Sequence, residues 1–206
     1  MKVLLINGSP HEHGCTDVAL NEAAKALNDG GIETEIIWIG NKAIHGCIGC
    51  GTCRKTGQCT FTDDCVNEVA EKLDSADGII VGSPVHYAAA SGAITSFLDR
   101  IFYSAGRNLA YKPAAAVVSC RRGGASAAFD QLNKYFTINN MIVVGSQYWN
   151  QIHGNTPEEA LLDLEGLQTM RVLGKNMAWI LGCIEAGSAE GIFPEKEQKV
   201  NTNFIR

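Results

Sequence analysis

Five short, uninterrupted apolar runs constrain what this chain can fold into: "VLLI" (3–6), "IIWI" (36–39), "GIIV" (78–81), "AAAVV" (114–118) and "MIVV" (141–144). None alternates apolar with polar, as a strand with one wet face does. Continuous β-rich runs of this length suit parallel strands buried on both faces. The segments between them carry helical periodicity. After Thr16, the residues Val18, Ala23, Ala26 and Leu27 share one face, and Gly30 with Gly31 supplies the stop. Val66, Val69, Ala70 and Leu73 repeat behind Asp63 and Asp64, a pair suited to capping. Ile94, Phe97, Leu98 and Ile101 mark a third helix over 91–104, and a fourth covers 124–136. The last opens at "TPEE", where Thr156 caps, Pro157 takes the first turn and Glu159 completes a capping box. It runs toward Leu181, with Gly166 and Gly174 as points of bending or interruption. The alternation predicts an α/β fold built on a doubly wound parallel sheet.

A chain of 206 residues with 46% apolar content is enough for one such domain, and it shows no internal repeat or linker. A net charge of −5 leaves no broad basic footprint and argues against a nucleic-acid partner. The opening "MKVLLINGSP" breaks at Gly8, too soon for a signal peptide, and no apolar run reaches the length of a bilayer. The expectation is a cytoplasmic protein without membrane contact, whose thiols stay reduced. Eight cysteines then lose most of their weight as a disulfide framework.

Ligands of doubly wound sheets bind beyond the carboxyl ends of the strands. The first such connection, "NGSPHEHGCT" from Asn7 to Thr16, lacks both the dinucleotide fingerprint and the P-loop lysine. It does gather the hydroxyls of Ser9 and Thr16, Gly14 and the N–H groups of a helix start, an arrangement suited to a terminal phosphate. The plain alternative is a polar turn that caps the first helix. In the second connection, "GSPVHYAAASG", Ser83 and Pro84 end the strand and Tyr87 offers an aromatic face. The third starts at Ser119, and its Gly123 and Gly124 allow close backbone approach. Such a crevice can hold a phosphate, the edge of a planar ring and its carbonyl oxygens. Arg121 and Arg122 read either as contacts for ring carbonyls or an acidic substrate, or as a solvated pair.

"GCIGCGTCRKTGQC" carries Cys47, Cys50, Cys53 and Cys59 at the spacing C-x2-C-x2-C-x5-C. Zinc sites usually join two separated C-x2-C hairpins. Three thiolates from one tight run with a fourth close behind suit one cubane cluster, and the interspersed glycines let the chain close around it. A [4Fe–4S] cluster is therefore favoured over zinc, redox-active thiols or no metal, all four remaining open. Cys65 is expected to face a helix interior, while Cys15, Cys120 and Cys183 stand alone and read as small apolar residues.

The stretches "GSPHEHGCT" and "GSPVHY…SG…FLDR", on this sheet pattern, resemble the NADPH-dependent FMN reductase group of the flavodoxin-like superfamily. With "CIGCGTCRKTGQC" added, the chain is similar to the iron–sulfur flavoproteins within that group, from Met1 as far as Leu181. The resemblance implies a five-stranded sheet in the order 2-1-3-4-5, with a cysteine-rich insertion (44–65) after strand 2. Residues 1–182 would form the flavodoxin-like domain and 183–206 a tail. It further implies FMN, with its phosphate at Ser9, His11, His13, Gly14, Cys15 and Thr16. The isoalloxazine would lie against Pro84, Val85, His86 and Tyr87, with Ser119, Arg121, Gly123 and Gly124 at its other side. Three positions depart from the group's habit: His11 replaces a basic residue, His86 an aromatic and Thr95 a lysine. If His11 or His13 touches the phosphate, affinity follows histidine titration.

The implied activity is that of an FMN-dependent NAD(P)H oxidoreductase. It would take electrons from NAD(P)H or ferredoxin and pass them to a small acceptor such as a quinone or an oxygen species. No side chain stands out as a catalytic acid or base. The cysteine loop leaves the same sheet edge as the crevice loops, so cluster and flavin are expected on one face, meeting across a homodimer or homotetramer interface as the resemblance implies. The rivals are a non-enzymatic electron carrier, a flavin reductase with an empty cysteine loop, and a zinc-stapled binding protein without flavin.

Overall fold

The computed structural model describes residues 1–202 and residue 204. Its parallel strands β1 (Lys2–Asn7), β2 (Glu33–Trp38), β3 (Gly78–His86) and β5 (Pro113–Cys120) lie side by side in the order β2-β1-β3-β5. The far edge is shared by β6 (Ile142–Val143) and β7 (Gln151–His153), which pair with the two ends of β5. This is the expected 2-1-3-4-5 arrangement with its fifth position split. The reason for the apolar runs is visible in the strand interiors. Leu4, Ile6, Ile79 and Val81 pack toward α3 (Val66–Ser75), α4 (Gly92–Ser104) and α5 (Ala125–Ile138). Their neighbours Val3, Leu5 and Ile80 pack toward α1 (Cys15–Asp29) and α7 (Leu164–Ala189). With helices on both faces, the central strands β1, β3 and β5 are buried on both sides along most of their length, and period-two alternation vanishes there.

Four features differ from the sequence reading. First, "MIVV" is not buried on both faces, because Ile142 and Val143 lie on the open edge and are exposed. The chain then leaves the sheet and returns at Asn150, whose carbonyl accepts from Val118 N–H (2.9 Å) while its amide donates to the Ala116 carbonyl (3.0 Å). One buried side chain thus covers the gap in the ladder. Second, β3 does not end at Ser83 and Pro84 but continues to His86, then folds back as β4 (Ala89–Ala90). β1 stops opposite Gly82, so Pro84 stands where that side of the strand is already unpaired, a place a strand accepts proline.

Third, the last helix is two. α6 (Pro157–Ala160) is capped by Thr156, as its motif predicts, but Asp163 then caps a new helix by accepting from Gly166 N–H at 2.9 Å. Gly166 belongs to that cap, and Gly174 causes no interruption. A Cβ at position 174 would lie 2.6 Å from the Ala23 carbonyl, so the glycine lets α7 cross α1 closely. Fourth, α7 does not end near Leu181 but continues to Ala189, so that residues 183–189 are helical and Cys183 is exposed on the helix rather than packed as a small apolar residue. No helix among the described residues is long and apolar enough to cross a membrane.

Lys112, just before β5, closes the C-terminal end of α3. Its ammonium donates to the carbonyls of Leu73 (3.1 Å), Asp74 (3.2 Å) and Ala76 (2.6 Å). Cations are favoured at this helix end, where carbonyls lack intrahelical partners. Burial pushes the pKa of Lys112 down, so its charge is held at a cost that these acceptors offset. Lys112→Met should lower stability by about 1–3 kcal/mol. Urea unfolding should show an earlier midpoint at unchanged slope; an unmoved midpoint would show that the three carbonyls do not need the cation.

Candidate functional site

The carboxyl ends of β1, β3, β5 and β7 are stitched together by buried polar groups. Asn7 shapes the first loop from below: its side-chain oxygen accepts from Ser9 N–H (3.0 Å) and its amide donates to the Glu12 carbonyl (2.9 Å). Ser9 Oγ accepts from His11 N–H at 3.1 Å, and the indole N–H of Trp38 donates to the Ser9 carbonyl at 2.7 Å. Ser91 Oγ donates to the Gly8 carbonyl at 2.8 Å, while Ser91 N–H donates to Ser83 Oγ at 3.0 Å, tying β1 to the loop after β3. The hydroxyls of Thr16 and Ser119 meet at 2.8 Å, joining the first loop to the end of β5. The Cys15 thiol reaches the Gly154 carbonyl at 3.5 Å, joining it to the end of β7.

Two helix starts within this frame lack side-chain caps. α1 begins after Gly14 and α5 after Gly124, with no capping hydrogen bond at either, whereas α4 and α7 are capped by Ser91 and Asp163. First-turn N–H groups have no intrahelical acceptor, so an uncapped start presents donors to whatever lies beyond it. His11 and His13 lie in solvent on the same loop, and His13 pairs with Asp17 at 3.4 Å. Opposite, the β3–β4 hairpin carries Pro84, Val85 and His86 up to its tip at Tyr87. Tyr87 has φ 56° and a fully exposed ring, a left-handed geometry uncommon for any residue but glycine. The loop after β5 supports the hairpin. Gly124 has φ 88°, and a Cβ there would sit 2.7 Å from Val85 Cγ1. Arg121, Arg122 and Gly123 are exposed beside it. Burial pushes the thiols of Cys15 and Cys120 above their ordinary range, which disfavours the thiolate.

The second cluster of chemistry lies along α4. Cys47, Cys50, Cys53 and Cys59 line one cavity of about 260 Å³, together with Ile48, Phe61, Arg100 and Tyr103. They surround a volume rather than meeting at a single-ion position, and no group of three potential ligands among the described residues does so. The short helix α2 (Thr52–Thr56) is flanked by Gly51 and Gly57, both left-handed, which fold the loop on itself. The Thr52 hydroxyl, then its backbone N–H, lowers the pKa of Cys50. A set of four thiols with neither histidine nor carboxylate at the wall is a soft donor set, suited to zinc or to an iron–sulfur cluster. Cys65 is half-buried at the start of α3, its thiol 3.9 Å from the Ile39 carbonyl.

Contacts place the first loop, the β3–β4 hairpin and the loop after β5 side by side at the carboxyl edge of the sheet, and the four cysteines line one cavity. The two are offset. Ser91 borders the crevice at the start of α4 and Arg100 borders the cavity nine positions later, about 13 Å along the helix axis. Sequence reasoning missed Trp38, Ser91, the Gly154 contact and Arg100. Only Arg100 left a readable signal: a cation beside Phe97, Leu98 and Ile101 on a buried helical stripe requires a partner.

A family model described as NADPH-dependent FMN reductase matches residues 1–156. An iron–sulfur flavoprotein of Methanocaldococcus jannaschii is 38% identical over 193 residues, covering 90% of this chain and 100% of that protein. An iron–sulfur flavoprotein of Methanosarcina thermophila is 30% identical over 190 residues, covering 90% of this chain and 97% of that protein. Among solved structures, a flavodoxin from the domain Archaea superposes with a TM-score of 0.61 at 16% identity, over 88% of this chain and 99% of that one, a likeness of fold alone.

Proposed function

The chain belongs to the NADPH-dependent FMN reductase family, and from that premise we propose that it is an FMN-dependent oxidoreductase with a [4Fe–4S] cluster on Cys47, Cys50, Cys53 and Cys59. Its donor would be NAD(P)H or ferredoxin and its acceptor a small molecule such as a quinone or an oxygen species. The observation that carries this reading is the pairing along one helix: two helix starts without side-chain caps lie at the sheet edge where α4 begins, and a four-thiol cavity lies beside its C-terminal half. When bound, FMN supplies two-electron and one-electron chemistry, and the cluster supplies one-electron chemistry.

The chain's own part is binding and orientation. The first-turn N–H groups of α1 and Ser9 receive the phosphate without a full positive charge. Val85, His86 and Tyr87 flank the ring on one side, and Ser119, Arg121, Gly123 and Gly124 on the other. The offset along α4 supports assembly as a homodimer or homotetramer, in which one chain's cavity, open at Cys47, Ile48 and Cys50, meets another's crevice. The test is anaerobic purification followed by an absorption spectrum, flavin content, and iron and sulfide analysis. Flavin bands with a shoulder bleached by dithionite, and steady NAD(P)H oxidation with a quinone, support the enzyme. Exchange with ferredoxin and no turnover marks a carrier. Colourless protein that takes up no FMN sinks the proposal.

A further inference from the structure

We propose that Arg100 is a positioning residue of the cysteine cavity: it closes the loop and hydrogen-bonds Cys59, stabilising the added negative charge of a reduced cluster. The inference rests on the cluster reading above. Arg100 stands on α4 and is 1% exposed. Its Nε–H donates to Cys59 Sγ at 3.1 Å. One terminal nitrogen donates to the His45 carbonyl at 3.3 Å and to Asp64. The other donates to the Phe61 carbonyl at 3.3 Å and to Asp64 Oδ1 at 3.0 Å. The guanidinium also lies over the Phe61 ring, 5.1 Å from its centroid, and that ring stacks on His45 at 4.5 Å.

His45 precedes the first cysteine, and Phe61 and Asp64 follow the last, so one planar fork holds both ends of the loop. With its other donors fixed, Nε–H has a set direction, and it points at sulfur. Two bonds to one carboxylate lock the guanidinium plane, which a lysine ammonium cannot reproduce. Hydrogen bonds to cluster sulfurs set the reduction potential. Reduction adds one electron and no proton, so a donor at a ligating thiolate favours the reduced form. Asp64 neutralises the charge of Arg100, which leaves the directed N–H as the lever.

The test compares wild type with the double variant Arg100→Gln/Asp64→Asn, which removes the ion pair without burying a lone charge. Arg100→Lys keeps the charge and loses the fork. All are loaded anaerobically with FMN, iron and sulfide. FMN content, read at the far end of α4, certifies the fold. The expected result is wild-type FMN content, a lower cluster midpoint potential in the dithionite titration, and at least tenfold faster iron release to a chelator. Arg100→Lys should fall between, and it carries the comparison if the double variant loses FMN. Wild-type potential and iron release in an FMN-loaded variant overturn the role of Arg100 alone. A wild-type chain that binds FMN but no iron and sulfide overturns the cluster reading, and this inference with it.

Discussion

Asp64→Ala should cost this protein about 3–5 kcal/mol of stability, the range for breaking a buried ion pair by removing one partner. Asp64 pairs with both terminal nitrogens of Arg100, and their side chains are 8% and 1% exposed. Burial disfavours the Arg100 charge, yet the carboxylate and the Cys59 sulfur more than offset this and raise its pKa. Without Asp64 the guanidinium stays charged and retains only a sulfur and two carbonyls. The first turn of α3 also loses an acceptor, since Asp64 Oδ1 takes Val66 N–H at 3.1 Å. Chemical denaturation should show a large fall in midpoint at constant slope. Replacing both partners should cost much less, because no buried charge is left unpaired. A loss for Asp64→Ala below about 1 kcal/mol, the scale of an exposed pair, would mean that water reaches this site.

Gly124→Val should weaken FMN binding by about fivefold to thirtyfold. A left-handed backbone costs a side-chain-bearing residue about 1–2 kcal/mol, and each 1.4 kcal/mol is a factor of about ten in affinity. At φ 88° the new Cβ also meets Val85 Cγ1 at 2.7 Å, pushing the β3–β4 hairpin off the loop after β5. Both walls of the crevice then move. Titration of FMN against the apoprotein, followed by quenching of flavin fluorescence, measures the change. Gly182→Ala on α7, with nothing within 4 Å of its Cβ, is the control and should bind as wild type. Equal affinities for Gly124→Val and the control would place the flavin elsewhere.

The loops at the carboxyl edge of the sheet were legible because their parts are local. A strand end, a run of small residues and a helix start are consecutive in sequence, so "NGSPHEHGCT" and "SCRRGG" advertise themselves. The β3–β4 hairpin was hidden because "VHYAAA" carries no Asn-Gly or Gly-rich turn, the usual two-residue hairpin signal. Its tip uses Tyr87 in a conformation normally left to glycine. The division between α6 and α7 was hidden for a related reason. Thr156 and Asp163 are both good caps seven residues apart, and both are used, one for each helix.

By itself the sequence determined the layered α/β architecture, since strands buried on both faces must be continuously apolar. It also determined the two concentrations of chemistry, the small-residue loops and the four-cysteine run. Tertiary structure alone decided how these lie in space. Arg100 reaches Cys59 across 41 residues and Asp64 across 36, and Trp38 reaches Ser9 across 29. Contacts over such separations follow from how α4 and the strands pack, because chain folding, and not local periodicity, brings distant donors and acceptors to one point. The offset of crevice and cavity along α4 has the same origin.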